Sequence, residues 1–298
     1  MKQYSSVLVI YNPDALKGKI EQKLPYIKQR LSLRFTTVDA IASKSPEHTQ
    51  DVALKNSGKY DIILSAGGDG TLHNVINGVA RAEQKSIVGV LPFGTCNDVA
   101  RTLEIPRDLD NSINAVLRLH TTKYDIMFDG EQYIAYSLAS GYLTSVSFKA
   151  NQKTKSKIGR MAYVWAGLGG LFKLKALPFT FEVDNTRIND KFVYVMLING
   201  RSAGGFEINK NEDIANGKIK FVAIKKTKGI GSFCTFVRMF TRGVDAIRKS
   251  KSAIVVEAKK VSIENPSNEP FCLDGEKVKF LTKQIQVATT LEFIANLF

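Results

Sequence analysis

The sequence predicts an α/β fold: an N-terminal doubly wound α/β domain followed by a C-terminal antiparallel β domain. Three observations lead there. Short β-branched runs alternate with helical spacings up to about residue 123. Beyond it most runs read as strands separated by turn clusters. The 298 residues exceed the roughly 100 to 200 of one typical domain, so two cores are expected. The expected domains are 1–123, which 289–298 is able to rejoin, and 124–288.

Residues 6–11 are a β-branched run stopped by Asn12-Pro13, because proline cannot donate to a sheet ladder. Residues 18–33 repeat apolar side chains at helical spacing, 61–65 read as a buried strand, 72–82 as a helix and 87–91 as a strand. Alternation of this kind is the pattern of a parallel sheet covered by helices on both faces. After residue 123 the runs 132–138, 179–183, 191–198, 218–224, 253–258 and 284–288 read as strands. Two stretches, 157–172 and 233–247, have helical spacing, and the strand-like run 291–296 is able to fold back onto the first domain.

A composition of 44% hydrophobic and 23% charged residues excludes a disordered or collagen-like chain. The most apolar uncharged run, 161–172, is too short to cross a bilayer, which takes roughly 20 residues. The apolar stretch 7–11 ends at Asn12-Pro13-Asp14, too early for a secretion signal, so a cytoplasmic location is expected. Cys96, Cys234 and Cys272 form no C-x-x-C pair and suggest neither a disulfide framework nor a zinc site. The net charge of +14 is concentrated: residues 149–260 hold 23 Lys and Arg against 8 Asp and Glu. Such a segment attracts anionic membrane, nucleic acid or acidic small molecules. No recognition motif accompanies the charge, so nucleic acid is not an expected partner.

The strongest local signal is Gly67-Gly68-Asp69-Gly70-Thr71, set between a buried strand and a helix. Glycines there let the backbone approach a phosphate, and a helix N-terminus presents free N–H groups. No Walker lysine follows. The alternative is a glycine turn with Asp69 or Thr71 capping the helix. A second strand-to-helix loop, Leu91 to Arg101, adds Gly94, Thr95, Asn97 and Asp98. Loops after neighbouring strands open on one crevice, so Asp69, Thr71, Thr95, Asn97 and Asp98 could converge on one nucleotide. Asn12 to Gly18 is a third loop, readable as a phosphate contact or a plain turn. In Asp274-Gly275-Glu276 an extended chain would point both carboxylates to one side, where one could accept a proton; a turn is the alternative.

Together, Gly67 to Thr71, Pro92 to Arg101 and Asp274 to Glu276 resemble the diacylglycerol kinase catalytic-domain family, the soluble bacterial lipid kinases similar also to sphingosine and ceramide kinases. The resemblance extends to Tyr124-Asp125-Ile126 and Ala203-Gly204-Gly205-Phe206. It implies an ATP-binding α/β domain, a β-sandwich lipid-substrate domain, and transfer of the γ-phosphoryl group of ATP to a lipid hydroxyl such as that of diacylglycerol in the cleft between them. Phospholipid biosynthesis at the inner face of the membrane, and a homodimer, are compatible with it. It assigns Asn12, Ser43, Gly67, Gly68, Asp69, Gly70, Thr71, Thr95 and Asn97 to ATP. Asp69 and Asp98 lie near the phosphates and magnesium, and Glu276 is the proton acceptor. Asp125 and Asp274 join a carboxylate network tied to a structural magnesium in the loop holding Asp213, Asn216 and Lys218.

This chain departs from the family pattern at three places. Asn216-Gly217 stands where Asp-Gly is usual, Ala15-Leu16 where Ser-Gly is commoner, and His73-Asn74 where Asn-Glu is usual. A neutral amide binds magnesium less well than a carboxylate. These departures leave room for a catalytically weak lipid-binding or regulatory protein, and the Gly-Gly-Asp-Gly-Thr loop shared with NAD kinases for a soluble substrate. The lysines 153, 155 and 157 with Arg160, then the apolar run with Trp165, Leu168, Leu171 and Phe172, then lysines 173 and 175, fit contact with an anionic membrane or a helix with a solvated basic face.

Overall fold

The computed structural model describes residues 4–141, 176–228 and 230–297. They fall into two compact units: residues up to Ile126 with Gln132–Ala135 and those from Ala288 on, and Met127–Glu131 with Tyr136–Val287. The expected helix 157–172, with Trp165 and its basic flanks, lies outside the described residues.

In the first unit β1 (Ser6–Tyr11), β2 (Thr37–Ala42), β3 (Ile62–Gly67) and β4 (Ile87–Pro92) form a parallel sheet in the order β2-β1-β3-β4. Every residue of β3 and β4 is buried, as expected of strands covered on both faces, whereas edge strand β2 is half exposed. That exposure, with Thr37 and Asp39 in the run, is why β2 has no clear strand signal. Six helical segments accompany these strands: α1 (Ala15–Gly18), α2 (Ile20–Leu31), α3 (Pro46–Asn56), α4 (Asp69–Arg81), α5 (Asp98–Thr102) and α6 (Leu109–Arg118). Helix α3 starts on a Ser45 cap whose Oγ accepts from the His48 N–H at 3.1 Å, with Pro46 in the first turn; Asp108 caps α6 in the same way. From β1 the chain steps outward to β2, then returns across β1 to β3. The change of direction between β1 and β3 is where a doubly wound sheet opens a crevice at its strand ends.

Strands β5 (Thr121–Phe128) and β6 (Tyr133–Ile134) pair with each other. The run 132–138, expected as one strand, is therefore broken: β6 stops at Ile134 and β7 (Ser137–Gly141) begins separately. The second unit continues with β8 (Leu177–Val183), β9 (Thr186–Ile198), β10 (Ser202–Ala203), β11 (Phe206–Glu207), β12 (Ile219–Lys225), helix α7 (Gly231–Arg242), β13 (Ala253–Ala258), β14 (Lys260–Glu264), β15 (Phe271–Leu273), β16 (Glu276–Val278) and the start of β17 (Thr282–Ile294). Its registered pairings are antiparallel. Long strand β9 changes partner along its length, meeting β8 from Thr186 to Phe192 and β7 from Tyr194 to Ile198. Rings on β8 pack against strands to which β8 is not hydrogen-bonded: Phe179 on Phe271 at 5.7 Å and Phe181 on Phe221 at 4.8 Å. Two layers thus share one aromatic core, a sandwich. The expected helix 233–247 is cut by Gly243 (φ 91°) into α7 and a 3-10 turn, Val244–Ile247. Strand β17 runs well past the expected 284–288, and its far end joins the first unit's sheet in parallel beside β4, through Phe293 and Val88. Among the described residues no helix is long and apolar enough to cross a membrane.

Candidate nucleotide site

The two glycine loops of the first unit are built as one object. Gly67 ends β3, Gly68 is extended (φ −96°, ψ −171°), and α4 starts at Asp69, earlier than the expected residue 72. The Phe93 N–H donates to the Gly67 carbonyl at 2.8 Å, drawing the second loop alongside the first. A Cβ on Gly94 would lie 2.5 Å from the Gly68 Cα, so only glycine lets the two backbones touch there. Asp69 then clamps them. Its Oδ2 accepts from the Asn97 N–H at 2.8 Å and its Oδ1 from the Asp98 N–H at 2.7 Å. A carboxylate from one loop thereby caps the helix that begins the next, a charge-assisted arrangement favoured at a helix N-terminus. Asn97 holds a left-handed conformation (φ 54°), which asparagine tolerates better than most residues. Its Oδ1 accepts from the Gly94 N–H and its Nδ2 donates to the Gly94 carbonyl, each at 2.9 Å.

The other expected nucleotide residues sit near this pair in different degrees. The Asn12 N–H donates to the Ala66 carbonyl at 3.1 Å, which seats the first loop against the end of β3; its Oδ1 accepts from the Asp14 N–H. Ser43 follows β2, and its N–H donates to the Tyr11 carbonyl at 2.7 Å. Gly70 and Thr71 form the first turn of α4, and Thr95 is exposed at the tip of the second loop. Asp98 is fully buried at the start of α5. Arg107, which the sequence reading missed, holds the loop from outside by donating to the Thr95 and Cys96 carbonyls. His73 and Asn74 are spent on packing α4. Asn74 accepts from Gln50 of α3 at 2.8 Å, and His73, buried, lies 3.3 Å from Asn77, whose side-chain amide donates to the Tyr133 carbonyl and accepts from the Tyr133 N–H. Asp125 is buried and accepts from the Thr290 hydroxyl at 2.6 Å.

In the second unit, Asp274 and Gly275 are the two central residues of a tight hairpin between β15 and β16, with positive φ angles of 47° and 97°. Asp-Gly is the sequence that such a turn prefers. Of the two readings, an extended pair of carboxylates or a turn, the turn is the one formed. Asp274 is buried, accepting from the Tyr136 and Ser137 N–H groups at 3.0 Å each, while Glu276 is exposed at the start of β16. Among the described residues the Glu276 carboxylate makes no hydrogen bond or ion pair.

In the loop expected to hold magnesium two oxygens are engaged within the loop itself: Asp213 Oδ1 accepts from the Ala215 N–H and Asn216 Oδ1 from the Lys218 N–H. The Lys218 ammonium pairs with Glu257 on the surface. Among the described residues no three His, Cys, Asp or Glu side chains gather to hold a metal.

The profile of the diacylglycerol kinase catalytic domain matches residues 6–128, the stretch carrying both loops. That stretch resembles the family's catalytic domain. A diacylglycerol kinase of Staphylococcus haemolyticus (strain JCSC1435) is 29% identical over 270 residues, 90% of this chain and 81% of the relative. One of Staphylococcus saprophyticus subsp. saprophyticus is 28% identical over the same length, covering 88% of the relative. The crystal structure of a diacylglycerol kinase from Bacillus anthracis str. Sterne overlays 99% of this chain and 98% of its own with a TM-score of 0.78 at 21% identity, a likeness of fold. Another structure from that organism reaches a TM-score of 0.85 at 24% identity, over 99% of this chain and 97% of its own. The domain match and these relatives support a kinase, with ATP as co-substrate.

For this kinase Asp69→Ala is expected to lower stability and nucleotide affinity together, because two helix N–H groups lose their acceptor. A hydrogen bond to a charged group contributes about 1.5–3 kcal/mol, so a loss of about 2 kcal/mol is expected in denaturant unfolding. Asp69→Asn, which keeps one acceptor oxygen, should fall between. Asp69→Ala with wild-type stability but abolished ATP binding would show that the carboxylate acts on the ligand alone.

Proposed function

We propose that this protein is a lipid kinase that transfers the γ-phosphoryl group of ATP to the hydroxyl of diacylglycerol or a related lipid alcohol. The observation that carries this reading is the reach of the diacylglycerol kinase relatives, which align over 90% of the chain and so extend beyond the nucleotide loops into the β-sandwich. The clamped loops Gly67–Thr71 and Phe93–Asn97 bind the ATP phosphates through backbone N–H groups, with Asn12, Ser43 and Thr95 around the nucleotide. Glu276 takes the proton of the acceptor hydroxyl as its oxygen forms the new bond to phosphorus, and the bond to ADP breaks. Exposure, and freedom from partners among the described residues, suit Glu276 to that task, since a base engaged in an ion pair would be a poorer acceptor. Magnesium bound with the nucleotide phosphates would supply neutralisation of their charge. Asp125 and Asp274 act as supports: each is buried and already satisfied by protein donors.

The basic segment 149–260 supports peripheral contact with an anionic membrane, where such lipids reside. The test is transfer of label from γ-labelled ATP to mixed vesicles carrying diacylglycerol, ceramide or sphingosine, with NAD as a soluble arm and anionic against neutral vesicles. Labelled phosphatidic acid formed faster on anionic vesicles is the expected result. Labelling of NAD alone, or of nothing, overturns the reading.

A further inference from the structure

Beneath the loop that joins β11 to β12 lies a buried ion pair with no role in nucleotide binding. Lys220 sits in β12 and is 4% exposed, and Glu212 in the loop is 5% exposed. The lysine Nζ pairs with Glu212 Oε2 and donates to Asn209 Oδ1 at 2.9 Å. Asn216 Nδ2 donates to the other Glu212 oxygen at 3.2 Å, and the Glu212 carbonyl accepts from Arg201 Nε at 3.2 Å. Asn209 closes the set, its Nδ2 donating to the Gly200 carbonyl and its carbonyl accepting from the Glu212 N–H, each at 3.2 Å. One ammonium group thus ties together, directly or through Glu212, residues 209, 212 and 216 of the loop.

We propose that the Lys220 ammonium is the internal cation of the 209–218 loop in this chain, standing in place of the divalent ion that the family resemblance implies there. A charge is stable inside a protein only when it is paired and its remaining hydrogen bonds are met. The Lys220–Glu212 pair is matched in charge with no further cation, and Asn209 accepts a second ammonium N–H. Asn216 completes it in a way that an aspartate could not, because only the amide has an N–H to give to Glu212. An aspartate there would set two carboxylates against each other. The loop therefore folds without magnesium.

The test uses the full chain without nucleotide, in EDTA and in millimolar magnesium chloride, and does not depend on activity. Wild-type Tm is expected to agree within about 1 °C between the two, with equal hydrogen–deuterium exchange in the 209–218 amides. An ion bound at a hundred times its Kd would raise Tm by on the order of 5 °C, and that rise, or faster loop exchange in EDTA, overturns the proposal. Lys220→Met is expected to lower Tm by on the order of 10 °C in both buffers, since breaking a buried pair leaves a charge uncompensated. Should that variant fail to fold, the double variant Lys220→Met with Glu212→Gln removes both charges and is expected to fold and remain indifferent to magnesium; a magnesium-dependent Tm there overturns the proposal. Asn216→Asp is expected to lower Tm in EDTA, and a wild-type value would contradict the role given to the amide.

Discussion

Glu276→Gln is expected to lower kcat by about 10²–10⁴-fold, the range typical of a positioned base, with ATP affinity unchanged. The variant keeps the shape of the side chain and removes its basicity. Among the described residues the carboxylate has no partner to lose, so Tm should stay at the wild-type value. That separation makes the experiment decisive, because a structural role would show in unfolding and a catalytic one would not. Measured at saturating lipid and ATP, with single-turnover kinetics to establish that chemistry limits the rate, a variant that retains most of its kcat would remove Glu276 from the reaction.

Gly94→Ala is expected to act at the other end of the chemistry, by separating the two nucleotide loops. The added methyl would lie 2.5 Å from the Gly68 Cα and 2.6 Å from Asn97 Oδ1, and the first of these is backbone that cannot swing aside. Overpacking of this kind costs about 1–3 kcal/mol. Relief would come by opening the Gly68–Gly94 contact, which also moves the N–H groups that Asp69 holds. The KM for ATP should therefore rise by at least about tenfold, since a shift of 1.4 kcal/mol in binding is a factor of ten. Gly130→Ala is the control: its backbone has a φ of 95°, but nothing lies within 4 Å of an added Cβ. It should cost about 1 kcal/mol of stability and leave KM for ATP alone. Equal KM values for the two variants would show that loop contact does not govern nucleotide binding.

The parallel strands of the first unit were legible because they are buried on both faces and so apolar along their whole length. Strand β2 was not, because it lies at the sheet edge and none of its side chains is fully buried. The glycine loops were legible as loops and as neighbours. Their clamp was not, since Asp69 acts on backbone N–H groups 28 and 29 residues away, and backbone donors leave no trace in residue type. The Asp274-Gly275 pair invited two readings, an extended pair of carboxylates or a turn, and hairpin pairing between Leu273 and Glu276 decides for the turn. Lys220 is the clearest case of missing signal: in a run of strand residues a lysine suggests a solvent-facing position, and only the folded loop reveals the glutamate that lets it be buried.

Strand β17 sets an order of events for the chain as it is made. The first unit's sheet is short of a strand beside β4 until residues from Ala288 on arrive to bury Leu291, Phe293 and Ile294; the Ala295 and Asn296 N–H groups then donate to the His120 and Leu103 carbonyls. At about 5–20 residues per second, the roughly 160 residues between Ile126 and Ala288 take on the order of 10–30 s to synthesise. Throughout that interval the nucleotide half is present but its β4 edge is bare, and bare edges pair with whatever strand is nearest. The first unit therefore gains its last strand only after most of the second has been synthesised.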